Sequence, residues 1–365
     1  MTEPAFVLAG PDGAVVVPAA AEHYASAAAA QDALRRGDTP IVVGALPFRP
    51  GDATALMSPA TVQHSAELPR WDLGPLPAVQ ITAEEPDIDE HRRRVAAAVD
   101  MLRADGTAMH KVVLARALRL RAVAPLDARA VLTRLVAADP TGYGYLVDLS
   151  AAGPDYAGRA LVGASPELLV TRCGQTVTAR PFAGSAPRHR DPQRDRSNGA
   201  ALAASGKDLH EHRLVIDAMA AVLDPLCVDL QIADTPQLSR TATLWHLSTP
   251  IRGRLRHTST SALDLALALH PTPAVGGVPT DAAIRLIDRL EGDRGFYAGA
   301  AGWCDAGGDG RWVVSLRGAE LGTDRRDVLA RAGGGIVAES EPDAEVAETT
   351  AKFGAILNAL SVSPP

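Results

Sequence analysis

An α+β fold built on a large, mostly antiparallel sheet is what the 365 residues predict. Three observations carry that expectation. Strand-like and helix-like stretches interleave without the regular strand–helix–strand beat of a doubly wound sheet. Hydrophobic residues make up 47% of the chain, enough to fill a sizeable core, or two layers of core around a cleft. No internal repeat and no low-complexity linker divides the chain, so a single domain over residues 1–365 is expected.

Taken in order, residues 1 to about 85 mix short strand-like runs, such as PIVVGALPF at 40–48, with Pro- and Gly-rich turns, and no motif there carries chemistry. DEHRRRVAAAVDMLRADG (89–106) reads as a helix with Gly106 as its C-cap. HKVVLAR (110–116) is a strand whose apolar run is interrupted by Lys111. Side chains alternate on a pleated strand, so Lys111 shares a face with Val113 and Ala115, either as a solvated edge residue or as a lysine drawn into the interior. A helix follows near 127–138, then strands at 143–149 and within 160–181, with Gly174 at a hairpin turn. SGKDLHEHRLVIDAMAAVLDPL (205–226) is the clearest amphipathic helix, with Leu209, Leu214, Met219 and Leu223 near helical spacing. After a helix at 281–291, a long hairpin spans 295–321 and turns at Gly307, Gly308 and Gly310. In ARAGGGIV, Gly333 to Gly335 follow a strand-like run directly, and a last helix runs from about 341 to 360.

Composition excludes several classes. A net charge of −7 speaks against a general nucleic-acid binder, which needs a basic face, but leaves room for a buried Arg/Lys cluster that takes an anion. Cys173, Cys227 and Cys304 are far apart and give no C-x-x-C pair, which points to a reducing cytoplasm and away from zinc or iron–sulfur chemistry. The first residues lack a signal peptide's basic and apolar regions, and no apolar run is long enough to span a membrane. A soluble cytoplasmic protein is expected, and a monomer, because no apolar stripe is left over.

The residues that could carry chemistry each have a plain alternative. Glu341, Glu345, Glu348 and Lys352 fall on one helical face. Acids in a first turn and an i,i+4 Glu–Lys pair are ordinary helix features, yet the same spacing makes a carboxylate ledge for a hard divalent cation. Lys207, Asp208, His210, Glu211 and His212 crowd one turn, either as a solvated face or, through Glu211, as a partner to Glu348 around Mg²⁺. His210 and His212 point apart and make poor joint zinc ligands. The Gly333–Gly335 run is a tight turn or a backbone nest for an anion. Arg317 shares a strand face with Val313 and Ser315, and if buried needs an anionic partner such as a substrate carboxylate. Glu167, after Ser165-Pro166, is turn-exposed or else buried with a raised pKa as a general acid. His246 sits between apolar residues, the usual place of a core histidine.

The order of HKVVLAR, GASPELL, PFAGSAPR, SGKDLHEHRLV, TLWHLSTPIRG, LHPTPAVGGVP, GRWVVSLRGAEL and AGGGIVAESEPDAEVAETTAK resembles the chorismate-utilising enzymes over roughly residues 90–360. That family includes isochorismate, salicylate, anthranilate and aminodeoxychorismate synthases; residues 1–85 match it loosely. The resemblance implies an anthranilate synthase component I-like fold, a two-sheet core with helices outside. It implies chorismate as substrate and Mg²⁺ as cofactor. Lys111 would be the base that activates water for attack at C2, and Glu167 the acid that protonates the departing C4 hydroxyl. Glu211 and Glu348 would hold Mg²⁺, with Glu345 in support. Arg317, Lys352 and the backbone at Gly334 would grip the enolpyruvyl carboxylate, while His246, Gly184, Ser185 and Ala274 would line the pocket.

Branch choice rests on fewer residues. The anthranilate branch adds ammonia and carries glutamine where Lys111 stands, so Lys111 implies water as nucleophile. Aminodeoxychorismate synthases use a lysine after the segment matching 270–279, where this chain has Thr280. Salicylate synthases share Lys111 and also release pyruvate, but HPTPAVGG is closer to isochorismate synthases. Val275 and Gly276 depart from the Leu and Ser of some relatives. The implied reaction is conversion of chorismate to isochorismate for menaquinone or siderophore biosynthesis. The alternatives are a salicylate-forming lyase and a catalytically silent chorismate-binding relative.

Overall fold

The structure, a computed structural model, describes residues 3–363. Eight α-helices occur among the described residues: α1 (Ala27–Arg36), α2 (Ile88–Arg103), α3 (Ala128–Ala138), α4 (Pro192–Ala204), α5 (Gly206–Leu223), α6 (Ala262–Leu269), α7 (Thr280–Glu291) and α8 (Pro342–Ala359). Local chemistry sets their starts. Ser26, Asp87, Asp127, Asp191, Ser205 and Ser261 are N-caps whose side-chain oxygens accept backbone N–H groups of the first turn. α2 ends at Arg103, earlier than the sequence suggests, because its cap is Ala104; Gly106 takes its positive φ of 76° in the turn beyond.

Every strand pairing among the described residues is antiparallel. The strands form a ten-stranded sheet, a nine-stranded sheet and a small three-stranded sheet made of Phe182–Pro187, Leu244–Ser248 and Gln237–Arg240. The two large sheets pack face to face. Phe6, Leu8 and Tyr145 of one meet Val43, Met57 and Val313 of the other. Helices cover the outer faces: α3 and α8 bury Leu132, Phe353 and Leu357 against Leu118 and Leu146, α1 and α6 cover the nine-stranded sheet, α5 lies on the three-stranded sheet, and α7 packs against the Lys111–Ala122 strand. Buried on both faces, the strands read as near-continuous apolar runs rather than alternating ones.

The first 85 residues belong to both sheets. Phe6–Gly10 pairs with Tyr143–Asp148 in the ten-stranded sheet, and Ile41–Leu46 pairs with Ala300–Asp305 in the nine-stranded one.

Two expectations from sequence need correction. Gly333, Gly334 and Gly335 form no turn: they lie inside the strand Asp327–Ile336, paired with Ala115, Leu114 and Val113 of the strand Lys111–Ala122. The supposed long hairpin over 295–321 is shorter. Ala300–Asp305 and Gly310–Val314 pair within the nine-stranded sheet, and the chain then crosses to Gly318–Leu321 in the ten-stranded one. Arg317 therefore stands at the crossing, outside a strand, with φ 56°. A second crossing runs beside it, from Ala160–Ser165 to Leu168–Cys173, and carries Glu167. The two are stitched together by Val314 N donating to Glu167 O (3.2 Å) and Ala164 N donating to Arg317 O (3.4 Å).

Candidate active site

The paired crossings open onto a cavity closed by α5, α8, the glycine-bearing strand and the three-stranded sheet. Its enclosed space is about 60 Å³. Glu167, Gly184, Ser185, Glu211, His246, Ala274, Arg317, Glu348 and Lys352, all singled out from sequence, line it. Lys111, Gly334 and Glu345 stand immediately behind that lining.

Lys111 settles as an interior residue. Its side chain is 0% exposed, and Nζ lies 2.9 Å from Glu211 Oε1. The contact is an ion pair, out of line for a hydrogen bond, and Nζ has no aligned acceptor. Gly335 makes room for this pair: a Cβ there would fall 2.0 Å from Glu211 Oε1 and 2.9 Å from Lys111 Cε. Strand alternation turns Gly334 the other way, where a Cβ would sit 3.0 Å from Glu345 Oε2.

Glu167 is 2% exposed and its Oε1 has no partner. Burial pushes its carboxyl up to about 8, against the opposing pull of Lys111, the Phe182 N–H, Arg317 and Lys352. Arg317 reaches toward the same space, with Nη2 3.4 Å from His246 Nε2. Burial, then the charges of Arg317 and Lys352, holds His246 well below its ordinary pKa, so it is a neutral imidazole facing a guanidinium. Phe182 packs edge-on against it at 5.5 Å. A register break between Ala183 and Ser185, with Gly184 at φ 77°, aims Ser185 Oγ at Glu348 Oε1, to which it donates at 2.8 Å.

The acidic face of α8 differs in membership from the simple helical pattern. Glu341 is the exposed N-cap of α8 and lies outside the cluster. Glu345 is fully buried. Its Oε1 accepts from Lys207 Nζ at 2.6 Å, and its Oε2 has no partner. Burial and the neighbouring Glu348 raise the Glu345 pKa. Glu348 titrates low: burial opposes its charge, but Lys352 and Lys207 outweigh it. Lys352 Nζ pairs with Glu348 at 2.5 Å and donates to Gly333 O at 2.8 Å. His210 is exposed while His212 is buried against Thr249 Oγ1 at 2.7 Å, so the two histidines do not converge.

Does this cluster suit a hard divalent cation? Glu211, Glu345 and Glu348 offer only oxygen donors, and the unpartnered Oε2 of Glu345 is a buried acceptor in want of a positive partner. The donor chemistry fits Mg²⁺. Geometrically, the three carboxylates are each drawn to a lysine, and no three His, Cys, Asp or Glu side chains among the described residues converge on one point. Four carboxylates (Glu167, Glu211, Glu345, Glu348) face four basic groups (Lys111, Lys207, Arg317, Lys352), a set that accepts both a cation and an anion.

Sequence reasoning missed four residues of the site. Lys207 was only one of a crowd, although its i,i+4 spacing to Glu211 was visible. Arg331 lines the cavity two residues before Gly333, on the period of the strand. Tyr297 and Phe182 had no signal; both are wall residues, and burial pushes the Tyr297 hydroxyl up to about 12.

The sequence profile described as "Chorismate binding enzyme" matches residues 65–361. The MenF protein of Mycobacterium tuberculosis is 59% identical over 360 residues, covering 99% of this chain and 97% of that one. Isochorismate synthase DhbC of Bacillus subtilis is 42% identical over 335 residues, 88% of this chain and 81% of the relative. Among solved structures, DhbC of Bacillus anthracis superposes with a TM-score of 0.91 at 36% identity, covering 100% of this chain and 98% of that one. On a profile that matches four-fifths of its length and relatives that cover nearly all of it, the chain belongs to the chorismate-binding enzyme family.

Proposed function

We propose that the protein is an isochorismate synthase, an isomerase that adds water at C2 of chorismate and releases the C4 hydroxyl. The observation that carries the chemistry is Glu167. It is a carboxyl with a free buried oxygen, held protonated to about pH 8, in a cavity that also presents Arg317 and Lys352. A protonated carboxyl at neutral pH is what a leaving hydroxyl needs. Lys111, ion-paired with Glu211, would be the base: once it has shed its own proton, its amine takes one from water as the oxygen bonds to C2. Glu167 gives its proton to the C4 oxygen, which leaves as water while both ring double bonds shift. Water enters and water leaves, so substrate and product are isomers.

Chorismate carries two carboxylates, and the site has a means of holding each. Arg317 and Lys352 take the enolpyruvyl carboxylate, with the backbone at Gly334 beside them; a guanidinium fork and an ammonium suit that task. Glu211 and Glu348, with Glu345 in support, would hold Mg²⁺, which when bound supplies positive charge to the ring carboxylate. His246, Gly184, Ser185 and Ala274 shape the wall around the ring. Fixing both carboxylates orients C2 and C4 between the base and the acid.

Cytoplasmic, monomeric function completes the reading. No helix of the structure is long and apolar enough to cross a membrane, and the large exposed apolar residues, Met101, Val123 and Leu238, are scattered singly. Light scattering coupled to gel filtration checks the monomer.

Purified protein incubated with chorismate and Mg²⁺ tests the function. Isochorismate accumulating without pyruvate is the expected outcome; stoichiometric salicylate and pyruvate would make the protein a lyase instead. EDTA should abolish turnover and Mg²⁺ restore it.

A further inference from the structure

The three lysines that balance the carboxylate cluster are not alike. Lys111 is completely enclosed, with a side-chain exposure of 0%. Lys352 has two anchors, Glu348 and the Gly333 carbonyl. Lys207 sits in the first turn of α5 with its side chain 22% exposed, and its one hydrogen bond among the described residues goes to Glu345 Oε1. It is the most exposed of the three, against 16% for Lys352, and a single hydrogen bond holds it.

It also stands among all three carboxylates: Glu211 lies one helical turn further along α5, and Glu348 lies one turn beyond its partner Glu345 on α8. Buried carboxylates this close repel one another, and a resident cation relieves that repulsion.

We propose that Lys207 is a built-in counter-ion that competes with the divalent cation for Glu345 and yields its place when the cation binds. The proposal rests on the reading of Glu211, Glu345 and Glu348 as the metal-holding set. A cation on the free Oε2 of Glu345 would stand close to the ammonium that holds Oε1 at 2.6 Å, and two positive charges on one buried carboxylate repel. The repulsion is relieved most readily by Lys207, which is the more exposed of the two lysines at the ledge and is held by one hydrogen bond where Lys352 has two anchors. Lys207 touches no reacting atom: it is a positioning residue that keeps the cluster assembled and lowers its intrinsic affinity for metal.

Manganese(II) is the probe, followed by loss of the free-ion EPR signal in the absence of substrate. Lys207→Met keeps the apolar stem and removes the charge; it should bind Mn²⁺ about tenfold or more tightly than wild type. Lys207→Arg should stay within about threefold of wild type. Thermal melts give a second readout. Without added metal Lys207→Met should melt below wild type, and Mn²⁺ should raise its Tm more than it raises that of wild type. A folded Lys207→Met, or the milder Lys207→Gln, that binds Mn²⁺ no tighter than wild type overturns the competition. Glu348→Gln separates this from failure of the metal reading: if wild type binds no Mn²⁺, or binds it undiminished in Glu348→Gln, the cluster is not the metal site and both ideas fall.

Discussion

At the scale of single residues, a carboxyl whose oxygen has no partner in a dry wall, as at Glu167, is costly to charge. Its folded-state pKa of about 8 lies above its ordinary 4.5, so the fold keeps a proton that the unfolded chain gives up. The stability this contributes is complete below about pH 4.5 and is lost as pH rises through about 8. Glu167→Gln cannot ionise. We expect its Tm to overtake that of wild type increasingly between those limits, in melts recorded across the range. Its turnover should fall by about 10²- to 10⁴-fold, the usual weight of a general acid. In wild type, kcat should decline as pH passes through about 8, when the donor loses its proton. A site residue whose removal stabilises the protein while stopping the reaction is one held in place for chemistry.

At the scale of elements, the strand Asp327–Ile336 shows how a backbone can be part of a site. Its three glycines leave the ladder intact and remove the side chains that would fill the cavity. Gly335→Ala would drive a methyl into Glu211 and the stem of Lys111, whereas the backbone itself needs no unusual φ there. The expected result is a folded protein, by circular dichroism, with Mn²⁺ affinity and turnover both reduced at least about tenfold. Much of this architecture was legible beforehand. Helices α2, α3, α5, α7 and α8 announced themselves by periodicity and caps, because those signals are local. Lys111 in an apolar run and the Glu345–Glu348–Lys352 spacing marked two walls of the site. What could not be read was tertiary. A glycine run looks the same in a turn as in a strand flanked by a carboxylate, and only the α5 contact distinguishes them. The crossings at Glu167 and Arg317 depend on two strands leaving one sheet together, which no single stretch encodes. Lys207 was hidden because its partner, Glu345, lies 138 residues away.

At the scale of the whole molecule, the first 85 residues, poor in motifs, are structural members of both sheets. Phe6–Gly10 closes one flank of the Tyr143–Asp148 strand, and Ile41–Leu46 does the same for Ala300–Asp305. Removing residues 1–65 would expose both inner strands along their edges and uncover the layer between the sheets around Tyr145 and Val313. Such a truncation, although it keeps every proposed site residue, should give no cooperative unfolding transition in urea and should aggregate during purification; a soluble truncated protein with chorismate turnover would contradict this.

The left-handed backbone at Arg317 has a consequence for how the protein can change over generations. The residues that adopt φ near 56° most easily are Gly, Asn and Asp, and none of them carries a cation. Selection for stability and selection for activity therefore pull this position in opposite directions. A library randomised at 317 and selected only for heat resistance should drift to Gly or Asn, while the same library selected for turnover should return Arg. If both selections keep Arg, the strain at this crossing is not what sets the identity of the residue.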